Sequence, residues 1–169
     1  VVKNAAGFDI PKLVGGSLGC FGILTEVTFK VFPTPKETVT LKIEFPDTHS
    51  AVKMLCAIAA GPWELMALEL SPPSTLWIRL GGQRAAVAKR IDRISATLLQ
   101  ANKTERLTDD DSIWAEAKEL DWLPDGMSLL KVPVTPREIV DIEAACDADH
   151  ATFPRRYSCG GNVLYLGYQ

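Results

Sequence analysis

Eight positions near the start of the chain, Gly15 to Gly22, hold four glycines and Ser17, and an alternating run follows at once: Ile23, Thr25, Val27, Phe29, Val31. Glycine admits positive φ and carries no Cβ. Such a segment can therefore turn sharply and bring main-chain N–H groups close to phosphate or heteroatom acceptors. The period of two predicts a strand over 23–32, and Pro33 and Pro35 close it. On spacing alone, a glycine-rich hairpin without a ligand accounts for the segment as well as a ligand-contacting turn does.

Prolines donate no ladder hydrogen bond and favour extended backbone, which places a domain boundary at Pro33-Thr34-Pro35. Beyond it the pattern predicts a strand with Val39, Leu41, Ile43 and Phe45 inward and Thr38, Thr40, Lys42 and Glu44 outward. A helix capped by Asp47 or Thr48 then runs to about residue 60, with the apolar stripe Ala51, Val52, Leu55, Ile58, Ala59. Strands over 64–70 and 75–80 flank the turn Ser71-Pro72-Pro73-Ser74. A helix over 83–101 buries Val87, Ile91, Ile94 and Leu98 and presents Lys89, Arg90 and Arg93 as a solvated face. A short strand near 103–108 completes the order strand, helix, strand, strand, helix, strand. That order predicts an α+β fold: a ferredoxin-like antiparallel sheet with helices on one face.

Four further elements follow. Asp109-Asp110-Asp111 leads a helix with Ile113, Ala117 and Leu120 on one stripe, and the triplet reads as capping rather than a cation site. A strand over 127–133 precedes Thr135-Pro136-Arg137-Glu138, a capping box that opens a helix to about Asp147 burying Ile139, Ile142 and Cys146. The last strand region, 155–168, contains Gly160-Gly161, which should bend or bulge it.

A hydrophobic content of 47% and a charged content of 23% are those of a globular chain, and a net charge of −3 leaves no electrostatic footprint for nucleic acid. No run approaches the ~20 apolar residues of a transmembrane helix, and no signal peptide is visible. Cys20, Cys56, Cys146 and Cys159 lack metal-site spacing and read as reduced thiols, so no metal is expected and a cytoplasmic location is.

The identity and order of residues in the opening segment carry more than its spacing. Lys3-Asn4-x-x-Gly7-Phe8-Asp9, Leu13, then Gly16-Ser17-x-Gly19-x-x-Gly22-Ile23-x-Thr25-Glu26 and a strand ending in Pro resembles the FAD-binding domain of vanillyl-alcohol-oxidase-type flavoproteins. Within that group it is most similar to the FAD-binding subunits of bacterial glycolate oxidases and related D-2-hydroxy-acid dehydrogenases. The motif covers residues 1 to about 35, and Cys20 and Phe21 stand where Thr and Leu are commoner.

The resemblance implies FAD as cofactor, a small 2-hydroxy acid such as glycolate or D-lactate as substrate, and companion oxidase subunits. It assigns 1–35 to the C-terminal piece of an FAD-binding domain and 36–169 to a substrate-side cap domain. Gly16, Ser17, Gly19, Gly22 and Ile23 match the family's main-chain contact to FAD. In the family a second glycine-rich loop, earlier in the chain, holds the pyrophosphate. The chain begins with Val1 in mid-motif, so it is expected to be a piece of a larger polypeptide and to hold FAD weakly by itself.

A substrate carboxylate calls for a cation, and Arg155 and Arg156 beside the terminal strand are the candidates, since a guanidinium fork suits bidentate binding. His49 and His150 have no evident partners, and no catalytic base is assigned. Trp63, Trp77, Trp114 and Trp122 are spaced as core and interface fillers. A ferredoxin-like module that binds a ligand or partner without catalysis is the alternative, because such folds serve many functions.

Overall fold

The computed structural model describes residues 10–97, 103–108, 110–148 and 153–168. The chain forms two compact units, Val1–Thr34 and Pro35–Gln169. In the first, helix α1 (Ile10–Val14) runs into the glycine-rich turn, where Ser17 N–H donates to Val14 O at 3.1 Å and Cys20 N–H to Ser17 O at 3.0 Å. Gly16, Gly19 and Gly22 all have positive φ, at 80°, 83° and 143°. The strand expected over 23–32 does not form: the segment has no ladder partner, and Ile23, Val27, Phe29 and Val31 are exposed. Period-two alternation expresses a preference for a half-buried strand. A strand also needs a neighbour to take its N–H and C=O groups, and none of the described residues supplies one.

The second unit is built on a seven-stranded antiparallel sheet. Its elements are β1 (Glu37–Glu44), α2 (Thr48–Ala59), β2 (Ala67–Ser71), β3 (Thr75–Gly82), α3 (Arg84–Thr97), β4 (Lys103–Leu107), α4 (Asp111–Glu119), β5 (Ser128–Pro133), α5 (Ile139–Ala148), β6 (Arg155–Ser158) and β7 (Val163–Tyr168). The spatial order is β4-β1-β3-β2-β6-β7-β5. Its first four strands with α2 and α3 are the ferredoxin-like pattern, in which β3 lies between β1 and β2. Leu98 and the expected end of α3 lie outside the described residues, as do Asp109, His150 and the motif residues Lys3 to Asp9.

Alternation fixes which side chains form the core. Val39, Leu41 and Ile43 of β1, Leu68 and Leu70 of β2, and Leu76, Ile78 and Leu80 of β3 are buried together with Ala51, Val52, Leu55 and Ile58 of α2 and Val87, Ile91 and Ile94 of α3. Asp47 caps α2 by accepting from Ser50 N–H at 2.7 Å, and Glu138 accepts from Thr135 N–H at 2.8 Å ahead of α5. Both carboxyls are held below their usual range, Asp47 mainly by its bond from Ser50 and Glu138 mainly by its bond from Thr135.

Two expectations about charged side chains need correcting. Arg90 does not sit on a solvated face: it donates to Trp63 O, Glu64 O and Gly81 O, tying α3 to the turn before β2 and to the end of β3. Asp110 precedes α4 but makes no capping bond; its carboxylate reaches across to the sheet, as described below.

Gly160-Gly161 does not merely bend a strand but turns the chain between β6 and β7, with φ of 66° and 84°. A Cβ at Gly161 would lie 3.0 Å from Ile139 Cδ1 and 3.1 Å from Leu55 Cδ2. Gly126 has a similar φ of 82° with nothing within 4 Å of such a Cβ. Gly126→Ala is therefore expected to show only the left-handed backbone penalty, about 1–2 kcal/mol. Gly161→Ala is expected to lose about 1–3 kcal/mol more through overpacking, as a difference between the two urea-unfolding free energies. Equal losses would show that α5 and α2 yield freely around the turn.

Candidate functional site

The sheet has a second face, opposite α2 and α3, and α4 lies over it. Thr38 and Thr40 of β1 and Arg79 of β3 point to this face, alternating with core residues. Thr38 Oγ1 donates to Asp110 Oδ1 at 3.0 Å, Thr40 Oγ1 donates to Asp110 Oδ2, and Arg79 Nη2 donates to Asp110 Oδ1 at 3.0 Å. Trp114 Nε1 in turn donates to Thr40 Oγ1 at 2.7 Å, and the Arg79 guanidinium lies over the Trp114 ring. Thr40 is fully buried as a result, although its place in the alternating pattern reads as outward.

Between α4 and this face lies a cavity of about 450 Å³. Glu69 of β2, Arg156 and Ser158 of β6, Tyr165 of β7 and Lys118 of α4 supply its polar lining. Trp114, Ala117, Leu120, Trp122 and Leu129 supply the apolar part. Trp114 and Trp122 thus border a cavity rather than only filling space.

Arg155 and Arg156 are separated by the sheet, because successive strand residues face opposite sides. Arg155 turns toward the helices. Its Nε and Nη2 donate to Glu143 Oε1 and Oε2 at 2.8 and 2.7 Å, and its Nη1 donates to Phe153 O at 3.1 Å. Tyr157 Oη adds a bond to Glu143 Oε1 at 2.7 Å. The bidentate bond to Glu143 raises the Arg155 pKa despite burial, and burial followed by the Glu143 bond raises that of Tyr157.

Arg156 turns toward the cavity. Its Nε donates to Glu69 Oε2, while Ser158 Oγ donates to Glu69 Oε1 at 3.0 Å. Arg156 Nη2 is buried and has no hydrogen-bond partner among the described residues. Three of its neighbours, Glu69, Ser158 and Tyr165, carried no signal at the sequence level beyond lying at alternating strand positions. Their significance comes from the strand order, which sets β2 beside β6.

His49 is exposed on α2 and does not line the cavity. Among the described residues no group of His, Cys, Asp and Glu could hold a metal ion, and no helix is long and apolar enough to cross a membrane. Cys20, Cys56, Cys146 and Cys159 are all free. In the first unit Gly16, Ser17, Gly19, Gly22 and Ile23 follow one another along an exposed turn, except that Ser17 is half-buried.

Burial alone would raise the Asp110 carboxyl, but its bonds from Thr40, Thr38 and Arg79 outweigh this and hold it below the usual range. A depressed folded-state value means that this contribution is present above the unfolded value, about 3.9, and is lost as pH falls through the folded value. Asp110→Asn is expected to destabilise the chain by about 1–3 kcal/mol at neutral pH. It should also flatten the acid limb of stability against pH, read from urea midpoints. An acid limb unchanged by the substitution would show that α4 is held by other contacts.

No family model matches the chain. The chain is 38% identical over 91 residues to the glycolate oxidase subunit GlcE of Escherichia coli, covering 52% of this chain and 24% of that protein. It is 31% identical over 68 residues to the mitochondrial D-lactate dehydrogenase [cytochrome] of Arabidopsis thaliana, 40% of this chain and 12% of that one. It is also 36% identical over 52 residues to a D-lactate dehydrogenase of Anaerostipes hadrus, 31% of this chain and 11% of that one. The chain therefore spans a quarter or less of the length of these relatives. It is homologous, over part of its length, to a glycolate oxidase subunit and to D-lactate dehydrogenases.

Proposed function

We propose that the chain is part of an FAD-dependent oxidoreductase that oxidises a small 2-hydroxy acid such as glycolate or D-lactate. In this reading residues 1–35 are the C-terminal piece of an FAD-binding domain and 36–169 a substrate-side cap domain. The enzyme works in the cytoplasm with companion oxidase subunits. The observation that carries the reading is the partial homology to proteins named for glycolate and D-lactate, in a chain whose cavity is lined by Arg156.

Gly16, Ser17, Gly19, Gly22 and Ile23 would hold FAD, chiefly through the main chain. Their geometry fits that role. A Cβ on Gly16, Gly19 or Gly22 would meet nothing within 4 Å, so the turn leaves room for close approach by another molecule. Bound FAD supplies the hydride acceptor that oxidation of an alcohol requires.

The roles of the cavity residues follow from their chemistry. Arg156 binds the substrate carboxylate by turning its guanidinium to the cavity that it lines, a charge-assisted hydrogen bond made where water is partly excluded. Glu69 accepts from the guanidinium at Nε, and Ser158 holds Glu69, so the cation is oriented before the acid arrives. Arg155 has its fork committed to Glu143 on the other face, so the substrate contact falls to Arg156 alone.

The test is anaerobic addition of glycolate or D-lactate to the purified enzyme. Flavin absorbance is expected, and it is expected to bleach. Arg156→Met should raise KM by about 10- to 150-fold, the loss of one hydrogen bond to a charged group at ~1.5–3 kcal/mol. Gly22→Val, at a φ of 143°, should lower FAD content while leaving the unfolding of the sheet unit unchanged. A protein without flavin absorbance would instead favour a ferredoxin-like module that binds a ligand or partner without catalysis.

A further inference from the structure

Helix α4 crosses the second face of the sheet tied at both ends and lightly held between them. The ties at its N-terminal end are side-chain bonds to β1 and β3. Asp110 accepts from Thr38, Thr40 and Arg79, Asp111 Oδ1 accepts from Arg79 Nη2 at 2.6 Å, and Trp114 Nε1 donates to Thr40 Oγ1 at 2.7 Å. Beyond Trp114 no side chain of α4 bonds to the sheet among the described residues, and no residue of the helix is fully buried. The chain comes down again on β7: a Cβ at Gly167 would collide with Leu123 Cδ1, so Leu123 lies directly on that strand before β5 begins at Ser128. Between these two points Ala117, Lys118 and Trp122 roof the cavity, and Glu69, Arg156 and Tyr165 form its floor.

A helix of nine residues held in this way has little stability of its own. Isolated helices shorter than roughly 12–15 residues are marginal in water, so α4 persists because its N-terminal end is bonded to the sheet. One hydroxyl is central to that attachment. Thr40 Oγ1 donates to Asp110 and accepts from Trp114, which joins the residue before the helix to the helix itself. We propose that α4 is a lid on the cavity: released at Thr40, residues 111–122 unwind and lift between their two tethers, and the cavity opens to a ligand. With the lid closed, Glu69 and Arg156 on the floor are only 15% and 14% exposed, and lifting the roof uncovers them. A ligand that touches Trp114 or Trp122 in the closed state alone shifts the lid toward closure by that extra contact. That the ligand is a small 2-hydroxy acid rests on the reading given above; the lid itself does not.

Amide hydrogen exchange of the purified enzyme, read by mass spectrometry in peptides covering 111–122, β1 and β3, tests the lid. Residues 111–122 are expected to exchange through an opening in which β1 and β3 keep their protection, at a rate insensitive to dilute urea. Thr40→Val keeps the shape of the side chain and leaves two groups unpaired, so it should speed that exchange about tenfold or more. Trp114→Phe, which loses the Nε1 bond alone, should act in the same direction by less. Asp47→Ala removes the cap of α2 and should leave exchange in 111–122 unchanged. Anaerobic D-lactate at saturation should slow it by about 5- to 150-fold, the usual span of coupling between a ligand and a conformational change.

Exchange of 111–122 in step with β1 and β3 overturns the lid, and so does a rate that neither Thr40→Val nor Trp114→Phe alters. Slower exchange in D-lactate, together with bleaching of the flavin, supports the lid and the oxidoreductase reading at once. Bleaching by D-lactate with no change of exchange in 111–122 overturns the lid and leaves the oxidoreductase reading standing. If D-lactate and glycolate neither bleach the protein nor slow its exchange, while the latch variants still speed local opening, the lid stands and the oxidoreductase reading falls.

Discussion

A single buried carboxylate decides what the second face of the sheet can be. Asp110 is 1% exposed, a position a charge can hold only if its hydrogen-bonding capacity is met. Thr38, Thr40 and Arg79 meet it, and all three come from the two central strands of the ferredoxin-like core. The start of α4 is thereby fastened to the best-supported part of the molecule, and Trp114, one turn along, adds its own bond to Thr40. Without this anchor α4 has no reason to stay over the sheet, since none of its residues is fully buried. Beyond that anchor Trp114, Ala117 and Lys118 of α4 line the cavity.

The core was legible because burial on one face writes itself into a strand every second residue. Leu41, Ile78 and Leu70 are examples, and the helix stripes Val52-Leu55 and Val87-Ile91-Ile94 follow the same logic at helical spacing. The other face was not legible in that way. Thr40 alternates with apolar residues whether it meets water or a helix, and nothing local distinguishes the two. Glu143 was missed for a similar reason: a carboxylate on a helix reads as solvent-facing until its partners Arg155 and Tyr157 arrive from a distant strand. The division of Arg155 from Arg156, by contrast, was readable in principle from strand parity. The segment 23–32 shows the opposite failure, a strong local pattern with no partner strand among the described residues to complete it.

Side chains rather than backbone join the two parts of the sheet. The ladder between β2 and β6 consists of the pair Leu70 and Tyr157, supplemented by Gly160 N–H donating to Leu68 O at 2.9 Å. Glu69 grips Arg156 and Ser158 on one face, while Glu143 grips Arg155 and Tyr157 on the other. Half-buried ion pairs of this kind contribute little net stability once desolvation is counted, but losing one partner costs about 3–5 kcal/mol. They therefore act mainly on alignment. A shift of β6 by one residue would exchange the two arginines between faces and strand both carboxylates.

That junction also changes what the sheet presents at its ends. In a four-stranded ferredoxin-like sheet β2 would be an outer strand, with the apolar Leu68 and Leu70 close to an open row of amide and carbonyl groups. Here β6, β7 and β5 occupy that position, and the free borders become β4 and β5. The first carries Lys103, Glu105 and Arg106, and the second carries Lys131 and ends in Pro133, which has no N–H to offer. Charge and proline are the means by which strands discourage another chain from pairing onto them. The strands that line the cavity with Glu69, Arg156 and Tyr165 thus lie inside the sheet, where intermolecular strand addition cannot reach them.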